Sequence, residues 1–180
     1  MNYHEVYSQI IEKLKRNERP QIRLTPELVA ELKTAWKKAI EGDLIDEEAL
    51  TRIFCILDNT QNYTSELNEY FFESLKKIRN HELLIYALAA SQKHVVSESL
   101  RSGVMVPAVY FEHLKELLKN KNPEVLEWTL RTIESMGPLS MRLKNEVRDV
   151  KPAFLKLFNT HQKSAMQIID LLEQQWKRML

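Results

Sequence analysis

Apolar residues recur every three or four positions along most of the chain, most clearly between Val106 and Gly137. A first run in this segment consists of Val109, Phe111, Leu114, Leu117 and Leu118, and a second of Val125, Trp128, Thr129, Ile133 and Met136. Such spacing places the apolar side chains on one stripe of an α-helix and leaves the other side polar. The segment therefore predicts two short amphipathic helices joined by a turn.

The residues at the ends of these two runs agree with that prediction. Pro107 suits the first turn of a helix, and Asn122 offers a capping side chain directly before Pro123. A proline at the first helical position loses no hydrogen bond, because its missing N–H would be unpaired there anyway. Gly137 and Pro138 then end the second helix.

The same periodicity predicts helices along the rest of the chain. They run over about 3–16, 25–42, 46–59, 64–78, 81–101 and 140–158, and a final helix carries its apolar stripe from Ala165 to Met179. Thr25, Asp46 and Asn80 stand at three of the predicted starts. Pro152 lies inside the segment 140–158 and predicts either a kink near Val150 or a break there. The predicted total is about nine or ten helices.

Composition and length favour a single all-helical domain. The 180 residues include only three glycines and six prolines, and 28% are charged. Few turn-forming residues and short connections indicate one domain over residues 1–180. Within it, residues 1–60 are less regular, and helix pairs are predicted over about 64–101, 107–137 and 140–180. The glycines are too far apart to form a phosphate-binding loop.

An internal repeat relates two of the predicted helices. Glu82, Leu83, Tyr86 and Leu88 match Glu124, Val125, Trp128 and Leu130, each 42 residues later. A weaker copy places 154–160 in the first-helix position and 165–172 in the second. A repeat of this length is typical of stacked helix pairs.

The segment LLKNKNPEVLEWTLRTIESMG resembles the turn and second helix of a HEAT repeat. The resemblance covers about 32 residues closely and the last two thirds of the chain more loosely. It implies a short right-handed α-solenoid of antiparallel helix pairs, similar to HEAT and armadillo-like proteins. Solenoids of this kind present extended concave surfaces. The resemblance therefore implies a protein-binding scaffold that uses the exposed side of the second helix of each pair, which we call the second-slot helix.

On that interpretation, the polar residues of two second-slot helices are the candidate partner-binding residues. They are Glu127, Arg131 and Glu134 on one helix and Lys163, Gln167 and Asp170 on the next. The expected partner is a protein. The sequence leaves its identity and the oligomeric state of the chain open.

Basic residues gather in the last third of the chain. Residues 121–180 carry 10 basic and 7 acidic side chains, against 9 and 11 in residues 1–60. Most of the excess lies in a basic stripe formed by Arg142, Lys144, Arg148, Lys151 and Lys156. Such a stripe is either a solvated helix face, which we favour, or a site for phosphates, nucleic acid or an acidic protein. The overall pI of 7.8 is below that of typical nucleic-acid-binding modules.

No pattern of catalytic or metal-binding residues is found. The five histidines are nowhere closer than 13 positions, and the His81-Glu82 pair is followed by Ile85 where a zinc protease motif has its second histidine. We expect no enzymatic activity, no catalytic residues, no metal and no cofactor.

Trp176 and Met179 lie near the end of the final helix, where they either cap the fold or contact a second chain. Burial of Trp176 within its own chain would exclude the contact. Cys55 is the single cysteine and is expected to be a small buried apolar residue. The chain has neither a signal peptide pattern nor an apolar run long enough to cross a membrane, so we expect a cytoplasmic protein.

Overall fold

A computed structural model describes residues 2–151 and 159–179. Helices dominate these residues, which confirms the all-α prediction. Among them no β-strand occurs, and a single isolated parallel bridge joins Ile22 to Thr60. The chain divides into two compact units, Met1–Ser102 and Gly103–Leu180.

The first unit contains six α-helices among its described residues. They are α1 (Tyr3–Lys15), α2 (Pro26–Ile40), α3 (Glu47–Asp58), α4 (Asn68–Lys77), α5 (His81–Ser91) and α6 (Glu98–Ser102). A 3-10 turn, Ser65–Leu67, precedes α4, and a π-helix, Gln92–Ser97, connects α5 to α6.

Capping side chains determine where the helices of this unit begin. The Thr25 hydroxyl accepts the backbone N–H of Leu28, and the Asp46 carboxylate accepts that of Ala49. The Asn80 side chain accepts two backbone N–H groups at the start of α5. These bonds satisfy donors that the first turn of a helix leaves unpaired. All three predicted starts are confirmed.

The core of the first unit lies between two rows of helices. Helix α2 packs against α3 and α4, α3 packs against α5, and α1 covers α2 and α3. Trp36 is fully buried there, with the rings of Phe54 and Phe71 edge-on to it at 5.3 and 4.8 Å between centroids. The Trp36 indole N–H donates a 2.7 Å hydrogen bond to the hydroxyl of buried Ser74. Aromatic edge contacts of this kind add to the stabilisation from burial.

Two parts of the first unit differ from the sequence prediction. The predicted helix over 81–101 is interrupted by the π-helix Gln92–Ser97, which holds one more residue per turn than an α-helix. The segment 17–23 lies between the predicted helices 3–16 and 25–42, and the sequence predicts no element there. In the structure Ile22 is buried, as is Leu24 just beyond it, because this segment lies beside residues 59–62 and bonds to their backbone.

The second unit contains four α-helices among its described residues. They are α7 (Ala108–Leu118), α8 (Pro123–Ser135), α9 (Lys144–Val150) and α10 (Thr160–Arg178), with a 3-10 helix, Gly137–Leu143, before α9. Helix α7 packs against α8 and α9, and α8 packs extensively against α10. Its core includes Tyr110, Leu114, Ile133, Leu172 and Trp176.

Several predicted details of this unit are confirmed and others are wrong. Asn122 caps α8 and Pro123 is its first residue, as predicted. The segment from Ser140 begins as part of a 3-10 helix, and α9 ends at Val150, where a kink or break was predicted. Pro152 and the predicted first-slot residues 154–158 lie outside the described residues. Val109 was placed on the buried stripe but is 44% exposed, because Tyr110 takes the inward position.

Two helix starts, 42 residues apart, have the same cap geometry. The Asn80 side-chain oxygen accepts the N–H groups of Glu82 and Leu83, at 3.0 and 3.2 Å. The Asn122 oxygen accepts those of Glu124 and Val125, at 3.0 and 3.1 Å. The offset is the one found between the matching sequence positions.

Candidate functional site

The six candidate partner-binding residues differ in burial. Arg131, Lys163, Gln167 and Asp170 are exposed, and Glu134 is half-buried. Glu127 was predicted to be exposed, and this is wrong: only 6% of it is accessible. It faces α10, which packs along α8 and covers that side of the helix.

Buried Glu127 binds two neighbouring side chains. Its Oε1 accepts hydrogen bonds from Nε and Nη2 of Arg131, at 3.0 and 2.5 Å. Its Oε2 lies 2.7 Å from Nδ1 of His161, in the first turn of α10. A buried carboxylate is tolerated only when such partners offset the loss of hydration. Glu127 therefore links α8 to α10 and orients Arg131.

The Arg131 guanidinium lies over the ring of Trp128, 6.0 Å from its centroid. Trp128 belongs to the apolar run that predicts α8, but it is half-buried, and part of its ring remains accessible. A guanidinium over an indole face is a cation–π contact. Tryptophan and arginine are also the residues most enriched among those that dominate binding energy at interfaces.

Helix α10 supplies the other part of this surface. Lys163 and Gln167 are exposed, and no hydrogen bond or ion pair engages their side chains within the described part of the chain. Leu171, one turn beyond Gln167, is 47% exposed and adds an apolar contact point. We call the side chains of Trp128, Arg131, Lys163, Gln167 and Leu171 the α8–α10 surface.

Two members of the basic stripe, Lys151 and Arg148, pair with acids of α10. Lys151 Nζ lies 3.0 Å from Asp170 and 2.9 Å from Glu173, and hydrogen bonds to Glu173 and Asp170 raise the pKa of Lys151. Arg148 lies 3.9 Å from Glu173. The charge pattern of the sequence does not reveal these pairs, since Asp170 and Glu173 lie some twenty positions away along the chain.

The remaining members of the stripe differ in their surroundings. The Arg142 guanidinium lies 4.2 Å from the ring centroid of Phe111, and Lys144 is half-buried. Lys156 lies outside the described residues. The stripe therefore presents less uncompensated charge than its sequence indicates.

Trp176 is excluded as an exposed contact. It is 1% accessible, and its indole N–H donates a 2.9 Å hydrogen bond to the Ser140 hydroxyl within the same unit. Its apolar face is covered by the unit's own core. Met179, three residues later, is 44% exposed.

His94 is a residue that sequence reasoning did not single out. It is fully buried in the π-helix, with Nε2 3.2 Å from both the Thr60 hydroxyl and the Leu57 carbonyl. Its Nδ1 accepts the backbone N–H of Thr64 at 3.3 Å. Burial lowers the pKa of His94 to about 4, so the ring is neutral at physiological pH. Its position in an apolar helical stretch was the only signal in the sequence.

Other groups that could perform chemistry are dispersed. Among residues 2–151 and 159–179, no three His, Cys, Asp or Glu side chains are close enough to hold a metal ion. Cys55, which was expected to be buried, is half-buried. Burial, and next the charge of Asp58, raise the pKa of its thiol to about 11. No helix within the described residues is long and apolar enough to span a membrane.

Comparison with known proteins does not assign this surface to a family. No family model matches the chain, and neither a curated protein nor a solved structure is significantly similar to it. Only the chain's own residues therefore indicate its function.

Proposed function

We propose that this protein is a non-enzymatic cytoplasmic scaffold that binds a protein partner through the α8–α10 surface. The observation that carries the proposal is the arrangement of Arg131 over the half-buried ring of Trp128, held there by buried Glu127. An arginine that is already oriented loses less conformational entropy when a partner binds. A half-exposed indole offers apolar area beside it. Together they have the properties of an interface centre.

The proposed architecture is a short HEAT-like α-solenoid within each unit. In support, first helices contact the next first helix, as α2 with α4 and α7 with α9. Second-slot helices also contact one another, as α3 with α5 and α8 with α10. This is the contact pattern expected of stacked helix pairs. The shared cap geometry of Asn80 and Asn122 adds a local repeat with the same offset.

Nucleic-acid or phosphate binding through the basic stripe is the less favoured alternative. Lys151, its most paired member, contacts two carboxylates, and Arg148 contacts one of the same pair. A phosphate would have to displace these acids. The alternative predicts binding that weakens steeply with salt and with charge reversal at Arg148 and Lys151.

Photo-crosslinking in native cells tests the proposal. A photoreactive residue is introduced at Lys163 or Gln167 on the α8–α10 surface, and at exposed Asn145 on α9 as the matched control. We expect one protein to crosslink from the first two positions and not from Asn145. In purified form that protein should bind about tenfold more weakly to Trp128→Ala and to Arg131→Ala, a loss of ~1.4 kcal/mol.

Three outcomes would contradict the scaffold hypothesis. One is equal crosslinking at Asn145, and another is unchanged affinity in both variants although circular dichroism shows them folded. The third is crosslinking to nucleic acid from all positions, which would favour the basic stripe.

A further inference from the structure

A polar cleft of about 430 Å³ lies in the first unit, far in sequence from the α8–α10 surface. It is formed by residues 19–21, residues 58–63 and the beginning of the π-helix. Its lining side chains are mostly charged or capable of hydrogen bonding, and they include Arg19, Gln21, Asn59, Gln61, Tyr63 and Lys93.

Backbone and side-chain hydrogen bonds hold the two loop segments of the cleft together. The Ile22 N–H donates to the Asn59 carbonyl at 3.0 Å, and the Gln61 N–H donates to the Ile22 carbonyl at 2.8 Å. The Asn62 amide pairs with both backbone groups of Leu24, at 2.7 and 3.0 Å. Loops bonded in this way are pre-organised, so little entropy is lost in ordering them when a ligand binds.

The π-helix forms the third side of the cleft. Consecutive residues there have different tasks: His94 points inward and binds Thr60 and Thr64, whereas Lys93 reaches the cleft and pairs with Asp58 at 3.1 Å. Single π-turns within helices occur frequently at functional sites. Here the π-turn places an ammonium group beside the loop segments.

Hydrogen-bonding capacity remains unused inside the cleft. Within the described part of the chain, the Arg19 guanidinium has no ion pair or hydrogen bond, and the Tyr63 hydroxyl has no hydrogen-bond partner. Lys93 also donates to the Asp58 carbonyl, and the third donor of its ammonium group engages no other group among the described residues. The side-chain amide of Asn59 donates to the Cys55 carbonyl, and no hydrogen bond from the described residues reaches its side-chain oxygen.

We propose that this cleft binds the phosphate monoester of a small polyhydroxylated molecule, such as a sugar phosphate. Arg19 and Lys93 supply two cations against one acid, Asp58, so the lining has a net positive charge. Guanidinium and ammonium groups are the usual partners of phosphate oxygens. The Gln61 amide donates to the Gln21 side-chain oxygen at 2.8 Å. The Gln21 amide N–H groups, the side-chain oxygens of Gln61 and Asn59 and the Tyr63 hydroxyl match hydroxyl groups of a ligand. The largely polar lining disfavours an apolar ligand.

Calorimetric titration of the full chain tests this inference. The probes are glucose 6-phosphate, ribose 5-phosphate, AMP, inorganic phosphate and glucose. We expect a sugar phosphate to bind more tightly than inorganic phosphate and AMP, and glucose not to bind. Arg19→Gln should weaken binding roughly tenfold or more, since a charged hydrogen bond is lost. Tyr63→Phe should weaken it less, because its ring remains in place.

Arg23→Gln is the matched control, because Arg23 is an exposed arginine of the same segment that does not line the cleft. It should leave the affinity nearly unchanged. Equal losses in Arg19→Gln and Arg23→Gln would show only general charge attraction and overturn the inference. Tighter binding of AMP or of inorganic phosphate than of both sugar phosphates would overturn the ligand class, and no binding of any probe would overturn the site.

Discussion

The indole N–H of Trp176 donates to the hydroxyl oxygen of Ser140, and the Ser140 proton in turn goes to the Gly137 carbonyl at 2.6 Å. Trp36 and Ser74 have the same relationship in the first unit. All four side chains are buried. In each unit a tryptophan ring thus fills the core, and its indole N–H donates a hydrogen bond to a serine on another helical segment.

Replacement of Ser140 by alanine should destabilise the protein by about 1–3 kcal/mol, since the buried indole N–H would have no partner. Ser74→Ala should lower the free energy of unfolding by a similar amount, because it leaves the Trp36 indole N–H without its partner. Urea unfolding followed by tryptophan fluorescence measures both. Ser135→Ala, at an exposed serine of α8, is the control and should change stability by less than about 0.5 kcal/mol. Equal effects at all three serines would refute the role of these bonds.

Acid should destabilise the first unit through His94. An ordinary histidine binds a proton near pH 6.5, whereas burial lowers the pKa of His94 to about 4. Between these values the unfolded chain binds more protons than the folded chain. Stability that is present above about pH 6.5 is therefore lost as the pH falls toward 4, on the order of 3 kcal/mol for this residue.

The measurement is the free energy of unfolding at several pH values for the wild type and His94→Gln. The variant should be less stable at neutral pH and show a weaker dependence on acid. His81→Gln, at an exposed position, should retain the wild-type dependence. An unchanged acid dependence in His94→Gln would mean that other groups cause it.

Glu127 and Arg131 should be energetically coupled. A double-mutant cycle with Glu127→Gln and Arg131→Gln should give a coupling energy of about 1–2 kcal/mol. Glu127 is buried, and two nitrogens of Arg131 donate to its carboxylate. The pair Glu116 and Lys119 is exposed near the end of α7 and provides the control, with an expected coupling below about 0.5 kcal/mol. Equal coupling energies in both cycles would argue against the conclusion that Glu127 orients Arg131.

Cys55 should react slowly with thiol reagents in the folded protein. Its pKa is raised to about 11, against about 9 for an ordinary thiol, so its thiolate fraction near pH 8 is lower by roughly 100-fold. Reaction with a disulfide reagent, followed by absorbance, measures this directly because the chain has one cysteine. The denatured protein should react at the ordinary rate, and Asp58→Asn should accelerate the folded form modestly. Rapid labelling of the folded protein would contradict the raised pKa of the thiol.

Features that depend on local sequence were predictable. The caps at Thr25, Asp46, Asn80 and Asn122 each bind backbone groups two or three residues away, so the residues that determine them are adjacent in the chain. Helical periodicity is likewise local, and it identified most elements. Fold class and helix starts follow from such short-range rules.

Features that depend on distant partners were not predictable in the same way. Glu127 looks like a solvated acid until α10 covers it, and Lys151 looks like a free cation until Asp170 and Glu173 approach it. The polarity of a side chain limits the kinds of contact that it can make, and the tertiary fold determines which of these contacts form. Of the predicted surface residues, Arg131, Lys163, Gln167 and Asp170 are exposed, whereas Glu127 is buried.

The π-helix Gln92–Ser97 also bears on how this chain tolerates changes in length. A residue added to an α-helix rotates everything after it by about 100°. A π-turn accommodates the additional residue within a single turn, so the helix after it is not rotated. In this turn the His94 ring contacts the Thr60 hydroxyl. Removing a single residue in this segment would restore regular helix geometry with the loss of that contact. The loop that carries Thr60 and Thr64 would then lose its hydrogen bonds to the His94 ring.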